Sequence, residues 1–124
     1  MGALLSAKLV AMANLTCKQG ITTGFYWPIV DAATGQPPVS ISNLAAKAQV
    51  RDDESPTGNL LFEFTANVVQ QGQNVCVVIQ WTAEQSMGWG WTDGYGDVLL
   101  YRDGEPVCIV WQGAVQVDLV VTHD

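Results

Sequence analysis

Positive charge is scarce in this sequence. Its 124 residues contain five Lys and Arg against twelve Asp and Glu, a formal net charge of -7 at pH 7. Nucleic-acid binding depends on Lys and Arg that neutralise phosphates, so we expect no nucleic-acid partner. Charged residues make up only 14% of the chain, whereas apolar residues make up 48%. Much of the surface must therefore be uncharged or apolar, which indicates burial against partner proteins.

Residue types that carry catalysis or bind metals are also few. His123, next to the last residue, is the only histidine, and neither G-x-S-x-G nor H-E-x-x-H occurs. The segment T-D-G-Y-G-D at 92–97 has too few carboxylates for a strong calcium site. Cys17, Cys76 and Cys108 are odd in number, widely spaced and without a C-x-x-C pattern, which predicts buried free thiols of a protein made in a reducing cytosol. We expect no enzymatic activity, no metal and no cofactor.

A hydrophobic run long enough to span a membrane is missing too. The first thirteen residues, M-G-A-L-L-S-A-K-L-V-A-M-A, fall short of the roughly 20 that a span needs. Lys8 also interrupts the apolar stretch that a secretory signal keeps intact, and we expect no membrane partner. Residues 1–13 are instead predicted to be a helical arm that docks on a neighbouring subunit, ahead of a domain at 14–124; an alternative start at Met12 would make this arm incidental. The docking side chains have roughly helical spacing: Leu4, Leu5, Leu9 and Met12.

From Asn14 onward, apolar side chains recur at every second position, the period of half-buried β-strands. The alternating sets are Phe25, Trp27 and Ile29; Leu44, Ala46, Ala48 and Val50; Leu60, Phe62 and Phe64; Val75, Val77, Ile79 and Trp81; and Val115, Val117, Leu119 and Val121. Loops rich in Gly, Pro, Asn and Asp separate them. About seven strands without βαβ alternation predict an all-β fold, an antiparallel β-sandwich.

Two local patterns refine this prediction. Asp103-Gly104 is the strongest hairpin signal in the chain, and Pro28 and Pro106, which lack an N–H donor, belong at edges or bulges.

The segment T-A-E-Q-S-M at 82–87 predicts one short crossover helix between two strands. Thr82 and Gln85 have the spacing of a capping box, in which each side chain accepts from the other residue's backbone N–H. Gly88 is expected to end the helix in a left-handed conformation. Trp89 and Trp91 follow the helix and are expected to project from the rim of the sandwich.

The order of these motifs resembles a known family. G-F-Y-W-P-I-V-D, N-L-A-A-K-A-Q-V-R, L-L-F-E-F, V-I-Q-W-T-A-E-Q-S, G-D-V-L-L-Y-R-D-G-E-P-V and W-Q-G-A-V-Q-V follow one another along residues 16–122. This order is similar to that of small bacteriophage virion proteins whose Ig-like module resembles the N-terminal domain of BppU-type baseplate upper proteins. G-W-G-W at 88–91 departs from the short turn expected there.

The resemblance implies a non-enzymatic virion structural protein, an Ig-like module that oligomerises in a baseplate, tail or head. The implied partners are further copies of itself and other virion proteins, and the implied location is the virion, after assembly in the bacterial host cytoplasm.

The Trp-rich stretch, G-W-G-W at 88–91, permits two functional hypotheses and a structural one, together with the nearby Tyr95. Trp89, Trp91 and Tyr95 could anchor a protein interface, where Trp is enriched, or stack against a host glycan, with Asp93 and Asp97 accepting from hydroxyls. The structural alternative is that the indoles fold back over the open end of the sandwich. The interface hypothesis predicts that truncating Trp89 or Trp91 weakens association and barely changes stability.

Overall fold

Strands dominate the computed structural model, which describes residues 5–7, 14–38, 40–55 and 57–119. A single helix, α1 (Ala83–Met87), lies in the described part of the chain, between β6 and β7. The predicted all-β, Ig-like sandwich with one crossover helix is confirmed. No helix in those residues is long and apolar enough to cross a membrane. The eight strands are β1 (Leu5–Ala7), β2 (Leu15–Lys18), β3 (Thr23–Asp31), β4 (Leu44–Arg51), β5 (Leu60–Gln71), β6 (Asn74–Trp81), β7 (Asp93–Arg102) and β8 (Glu105–Asp118).

The strands follow the order β1-β3-β6-β5-β4-β7-β8-β2, and β5 belongs to both layers of the sandwich. Residues 60–64 of β5 pair with β4, and residues 65–71 pair with β6. One layer therefore contains β1, β3, β6 and the second part of β5. The other contains the first part of β5 with β4, β7, β8 and β2. All described pairs are antiparallel except that of β2 with β8, which is parallel and places β2 at the edge of the second layer.

The core forms where the inward faces of the two layers meet. In β6 the predicted alternation is confirmed, since Val75, Val77, Ile79 and Trp81 are all buried. The layers also meet through Trp27 of β3 and Trp111 of β8, whose rings stack with centroids 6.2 Å apart.

Strand β8 buries two consecutive residues, Val110 and Trp111. Val98 pairs with Trp111 and Leu99 with Ile109, so Val110 is the extra residue of a β-bulge. A second register shift in the same strand lies beside Pro106, in agreement with the expected placement of proline. Asp103 and Gly104 form the predicted hairpin turn with φ values of 51° and 80°, as a type I′ turn requires.

The predicted helical arm is wrong for residues 5–7, which form β1. Leu5 pairs with Asp31 of β3, and its side chain is only 5% exposed within the core of its own domain. A helix this short is marginal in water, whereas pairing with β3 satisfies backbone groups and buries Leu5. The domain therefore includes β1 and does not begin at residue 14. Leu4, Leu9 and Met12 lie outside the described residues.

The capping box of α1 is confirmed. The Thr82 hydroxyl accepts from the Gln85 N–H at 3.0 Å, and the Gln85 side chain accepts from the Thr82 N–H at 2.9 Å. The left-handed conformation expected at Gly88 is wrong, because its φ is −83°. The helix ends instead in a tight turn, in which Gly88 N–H donates to the Gln85 carbonyl and Trp89 N–H donates to the Ser86 carbonyl.

Candidate functional site

The end of α1 turns Trp89 into the sandwich. Ser86, which is fully buried, accepts from the Gly20 N–H at 2.7 Å through its hydroxyl. The Ser86 carbonyl accepts from the Gln19 side chain at 3.2 Å. These bonds hold the helix against the segment after β2, so the residues that follow it are directed over the open end of the core.

Trp89 is consequently 8% exposed, so the expectation that it projects from the rim is wrong. Its ring centroid lies 4.9 Å from that of Phe62, 6.2 Å from Phe64, 6.0 Å from Trp81 and 5.2 Å from Trp91. This side chain covers the open end of the core, which is what the structural alternative for the Trp-rich stretch predicts for Trp89.

Trp91 and Tyr95 do not form one platform with Trp89. Trp91 is half-buried against the core, and Tyr95 is 42% exposed on the outer side of β7. In the described part of the chain, no acceptor reaches the buried indole Nε1 of Trp81, Trp89 or Trp91. The interface role of Trp91 and Tyr95 stays a prediction.

The outer side of the first layer carries no charged residue among those described. We call this surface, made by β3, β6 and residues 65–71 of β5, the uncharged face. Tyr26 pairs with Val78, and Pro28 pairs with Cys76, which in turn pairs with Val69. Tyr26 is 69% exposed, and an open groove of about 690 Å³ runs beside it. The apolar centre consists of Tyr26, Pro28, Val30, Val69, Cys76 and Val78, and its polar border of Thr65, Asn67, Gln71, Asn74 and Gln80.

The uncharged face was not predicted from the sequence, although a signal for it is present. Residues 19–30 and 65–81 contain no Asp, Glu, Lys or Arg. Each stretch alone resembles an ordinary buried strand. Only the pairing of β3 with β6 and of β6 with β5 brings their outward-facing residues onto one surface.

The outer side of the second layer has a different chemistry. We call the surface of β4, β7 and β8 that faces away from the core the polar groove, and it encloses about 770 Å³. Its central row crosses three strands, from Gln49 to Asp97 to Gln112. Its other principal side chains are Lys47, Arg51, Tyr95, Leu99 and Tyr101.

The side chain of Asp97 stands at the centre of the polar groove and makes no hydrogen bond to any described residue. The residue is exposed by surface area, yet partial burial of the carboxyl against the sheet desolvates it and raises its pKa, and the Arg51 guanidinium opposes that shift. Arg51 donates to the Gly58 carbonyl at 2.8 Å and to the Gln49 side chain at 3.1 Å. The Asp97 carboxylate thus keeps free acceptor capacity.

All three cysteines are free thiols, as expected, but the predicted burial is wrong for Cys76 and Cys108, which are only half-buried. Cys17 is buried, and burial raises its pKa to about 12; burial also raises the pKa of Cys108. Both therefore stay protonated and weakly reactive near neutral pH. Within the described ranges, no three His, Cys, Asp or Glu side chains cluster to hold a metal ion. His123 lies outside them.

No family model and no curated protein matches this sequence. Among solved structures, the GspB Siglec domain superposes with a TM-score of 0.55 at 12% identity over 86% of this chain, which spans about half (54%) of that chain. The Lin-41 filamin domain gives a TM-score of 0.45 at 14% identity, covering 83% of this chain and 82% of that one. The RIG-5 IG1 homodimer gives 0.43 at 11% identity, covering 96% and 100%. The likeness to the GspB Siglec domain shows the sandwich fold alone.

Proposed function

We propose that this chain is a non-enzymatic, self-associating structural module of a bacteriophage particle. The observation that carries the proposal is the uncharged face. Each copy has a net charge of -7, so two copies repel each other wherever carboxylates meet. On the uncharged face they can pack without bringing any charged side chain of the described residues together.

The composition of the uncharged face supports this use. Its apolar centre and uncharged polar border match the organisation of protein interfaces, in which charged residues are depleted from the core. Tyr26 at 69% exposure is an aromatic side chain of the kind that anchors such contacts. A second copy offers the same surface, so a two-fold contact is self-complementary.

The size of the uncharged face predicts a weak contact. Three strands about 4.8 Å apart and roughly 20 Å long project about 300 Å². Two partners then bury roughly 600 Å², below the about 1,200 Å² of a stable interface. A single pair of copies should therefore dissociate readily, and the contact becomes useful where many copies are held together, as in a virus particle.

The order of strand and turn motifs supports the virion assignment, with other virion proteins as partners and assembly in the host cytoplasm. The free thiols suit a reducing compartment. A carbohydrate-binding module built on the Trp-rich rim is disfavoured, because Trp89 is buried and Tyr95 lies on a different surface.

Sedimentation velocity tests the proposal. The wild-type chain should show a sedimentation coefficient that rises between roughly 10 µM and 1 mM, the range of a weak contact. Tyr26→Asp should remain monomeric throughout, because it places two like charges across the two-fold contact. Ile109→Asp is the matched control, since Ile109 is 56% exposed on the other layer, and it should behave as wild type.

Two results contradict self-association through this face: a wild-type chain that is monomeric at the highest concentration, or a Tyr26→Asp variant that associates as wild type does. The virion role has its own readout. Particles assembled with the Tyr26→Asp variant should contain less of this protein than particles assembled with Ile109→Asp.

A further inference from the structure

We infer that the polar groove is a binding site for a neutral saccharide. The groove lies on the layer opposite to the uncharged face, so this inference is independent of self-association. Several of its side chains make no hydrogen bond to any described residue and offer both donors and acceptors: Lys47, Tyr95, Asp97, Tyr101 and Gln112. Its volume of about 770 Å³ is in the range of small-molecule sites.

The strand register places these groups at a useful spacing. Asp97 and Gln112 are paired across neighbouring strands, about 5 Å apart at the backbone, and Tyr95 is two residues from Asp97, about 7 Å along β7. A sugar ring resting on the Tyr95 side chain can therefore present hydroxyls to the Asp97 carboxylate and the Gln112 amide. Tyr101 lies four residues beyond Asp97 along β7, far enough away to contact a second sugar ring of the same oligosaccharide.

The backbone of the groove argues against an extended peptide as its ligand. Strands β4 and β7 are each paired on both sides, β4 with β5 and β7, and β7 with β4 and β8. Their backbone groups are already used, so no peptide can add as a further strand there. Recognition must come from side chains, and side-chain amides, carboxylates and tyrosines suit a ligand whose polar groups are hydroxyls.

The charges of the groove argue against an anionic ligand. Lys47 and Arg51 are balanced by Asp53, Glu54 and Asp97 among the lining residues. Arg51 is moreover engaged by the Gly58 carbonyl and by Gln49. No net positive field remains to attract a phosphate or a carboxylate, whereas hydroxyl donors can bind the free Asp97 oxygens.

Titrations of the full chain followed by two-dimensional ¹H–¹⁵N NMR test the inference. The probes are maltohexaose, cellohexaose, xylohexaose and chitohexaose, each to roughly 5 mM, because such open sites bind weakly, with a tryptic digest of casein as the peptide probe. At least one saccharide should shift the amide signals of residues 95–101, 47–51 and 112 to saturation. Asp97→Asn should weaken that binding about tenfold through loss of a charge-assisted acceptor.

Tyr26→Asp, on the uncharged face, is the control and should bind as wild type does. The inference is overturned if no saccharide perturbs the groove, if the shifts map to the uncharged face or to residues 88–91, or if only the peptide digest binds. Asp97→Asn binding as tightly as wild type also contradicts the assigned role of Asp97. Tyr26→Asp is expected to be monomeric. Saccharide binding by this variant would therefore show that binding in the groove does not depend on self-association.

Discussion

Truncation of Trp89 distinguishes a core lid from an interface anchor. Replacing a buried Trp with Ala in a core costs about 3–5 kcal/mol of unfolding free energy. Trp89 loses ring contacts to four aromatic side chains, at 4.9 to 6.2 Å, which favours the upper end of that range. Two effects act in the opposite direction. The buried Nε1, which has no acceptor among the described residues, is removed, and the loop at 88–92 can partly collapse into the space. We expect a loss of about 3 kcal/mol.

Urea unfolding of the isolated domain measures this loss. The transition is best followed by far-UV circular dichroism, because removal of an indole alters the fluorescence of the chain. With an m-value near 1.5 kcal/mol/M, the midpoint should fall by about 2 M. Two controls calibrate the effect. Trp89→Phe keeps part of the ring contacts and removes the unpaired N–H, so it should cost less than Trp89→Ala. Trp91→Ala should cost about 1–2 kcal/mol because Trp91 is only half-buried.

One outcome refutes the reasoning. If Trp89→Ala unfolds within about 1 kcal/mol of wild type with the same m-value, while its sedimentation shows that association is lost, the indole acts at an interface. The burial of Trp89 in the monomer would then not reflect its role in the associated protein.

Two further predictions concern Leu5 and Asp97. Leu5→Ala should destabilise the domain by about 2–4 kcal/mol in urea unfolding, because the side chain is 5% exposed in the core; a loss under about 0.5 kcal/mol would mean that β1 does not pack there. Asp97→Asn should raise the melting temperature at neutral pH. Burial raises the pKa of Asp97 in the folded state, so the folded chain binds the proton more tightly than the unfolded chain does. The contribution of Asp97 to the free energy of unfolding therefore increases as pH falls through the raised pKa. The advantage of Asn over Asp should therefore vanish in acid, and an unchanged or lower melting temperature at neutral pH would contradict the cause assigned to the shift.

Features fixed by neighbours along the chain could be predicted from the sequence. The alternation in β6, the Asp103-Gly104 turn and the Thr82–Gln85 capping box all depend on residues within a few positions of one another. Their physical causes are side-chain period, positive φ and reciprocal hydrogen bonds. Each of these causes is visible in a short window.

Features fixed by distant pairing could not be predicted. Leu5 joins the core only because β3 offers an edge to β1, and Trp89 is buried only because Ser86 ties α1 to the segment at Gly20. The polar groove arises in the same way, since Asp97 and Gln112 are brought together by the pairing of β7 with β8. The spacing of these residues along the sequence carries no sign of those contacts.

The passage of β5 from one layer to the other has a mechanical consequence. Its backbone joins the ladder with β4 directly to the ladder with β6, where residue 64 is followed by residue 65. A sideways pull on the outer surface of β3 and β6 is thus transmitted to the opposite layer along covalent bonds, and not through side-chain packing alone. Sliding the layers past each other requires both ladders of β5 to shear at once. The domain should therefore resist load as a stiff spacer and yield in one step, which single-molecule pulling across the two layers would record as a single force peak.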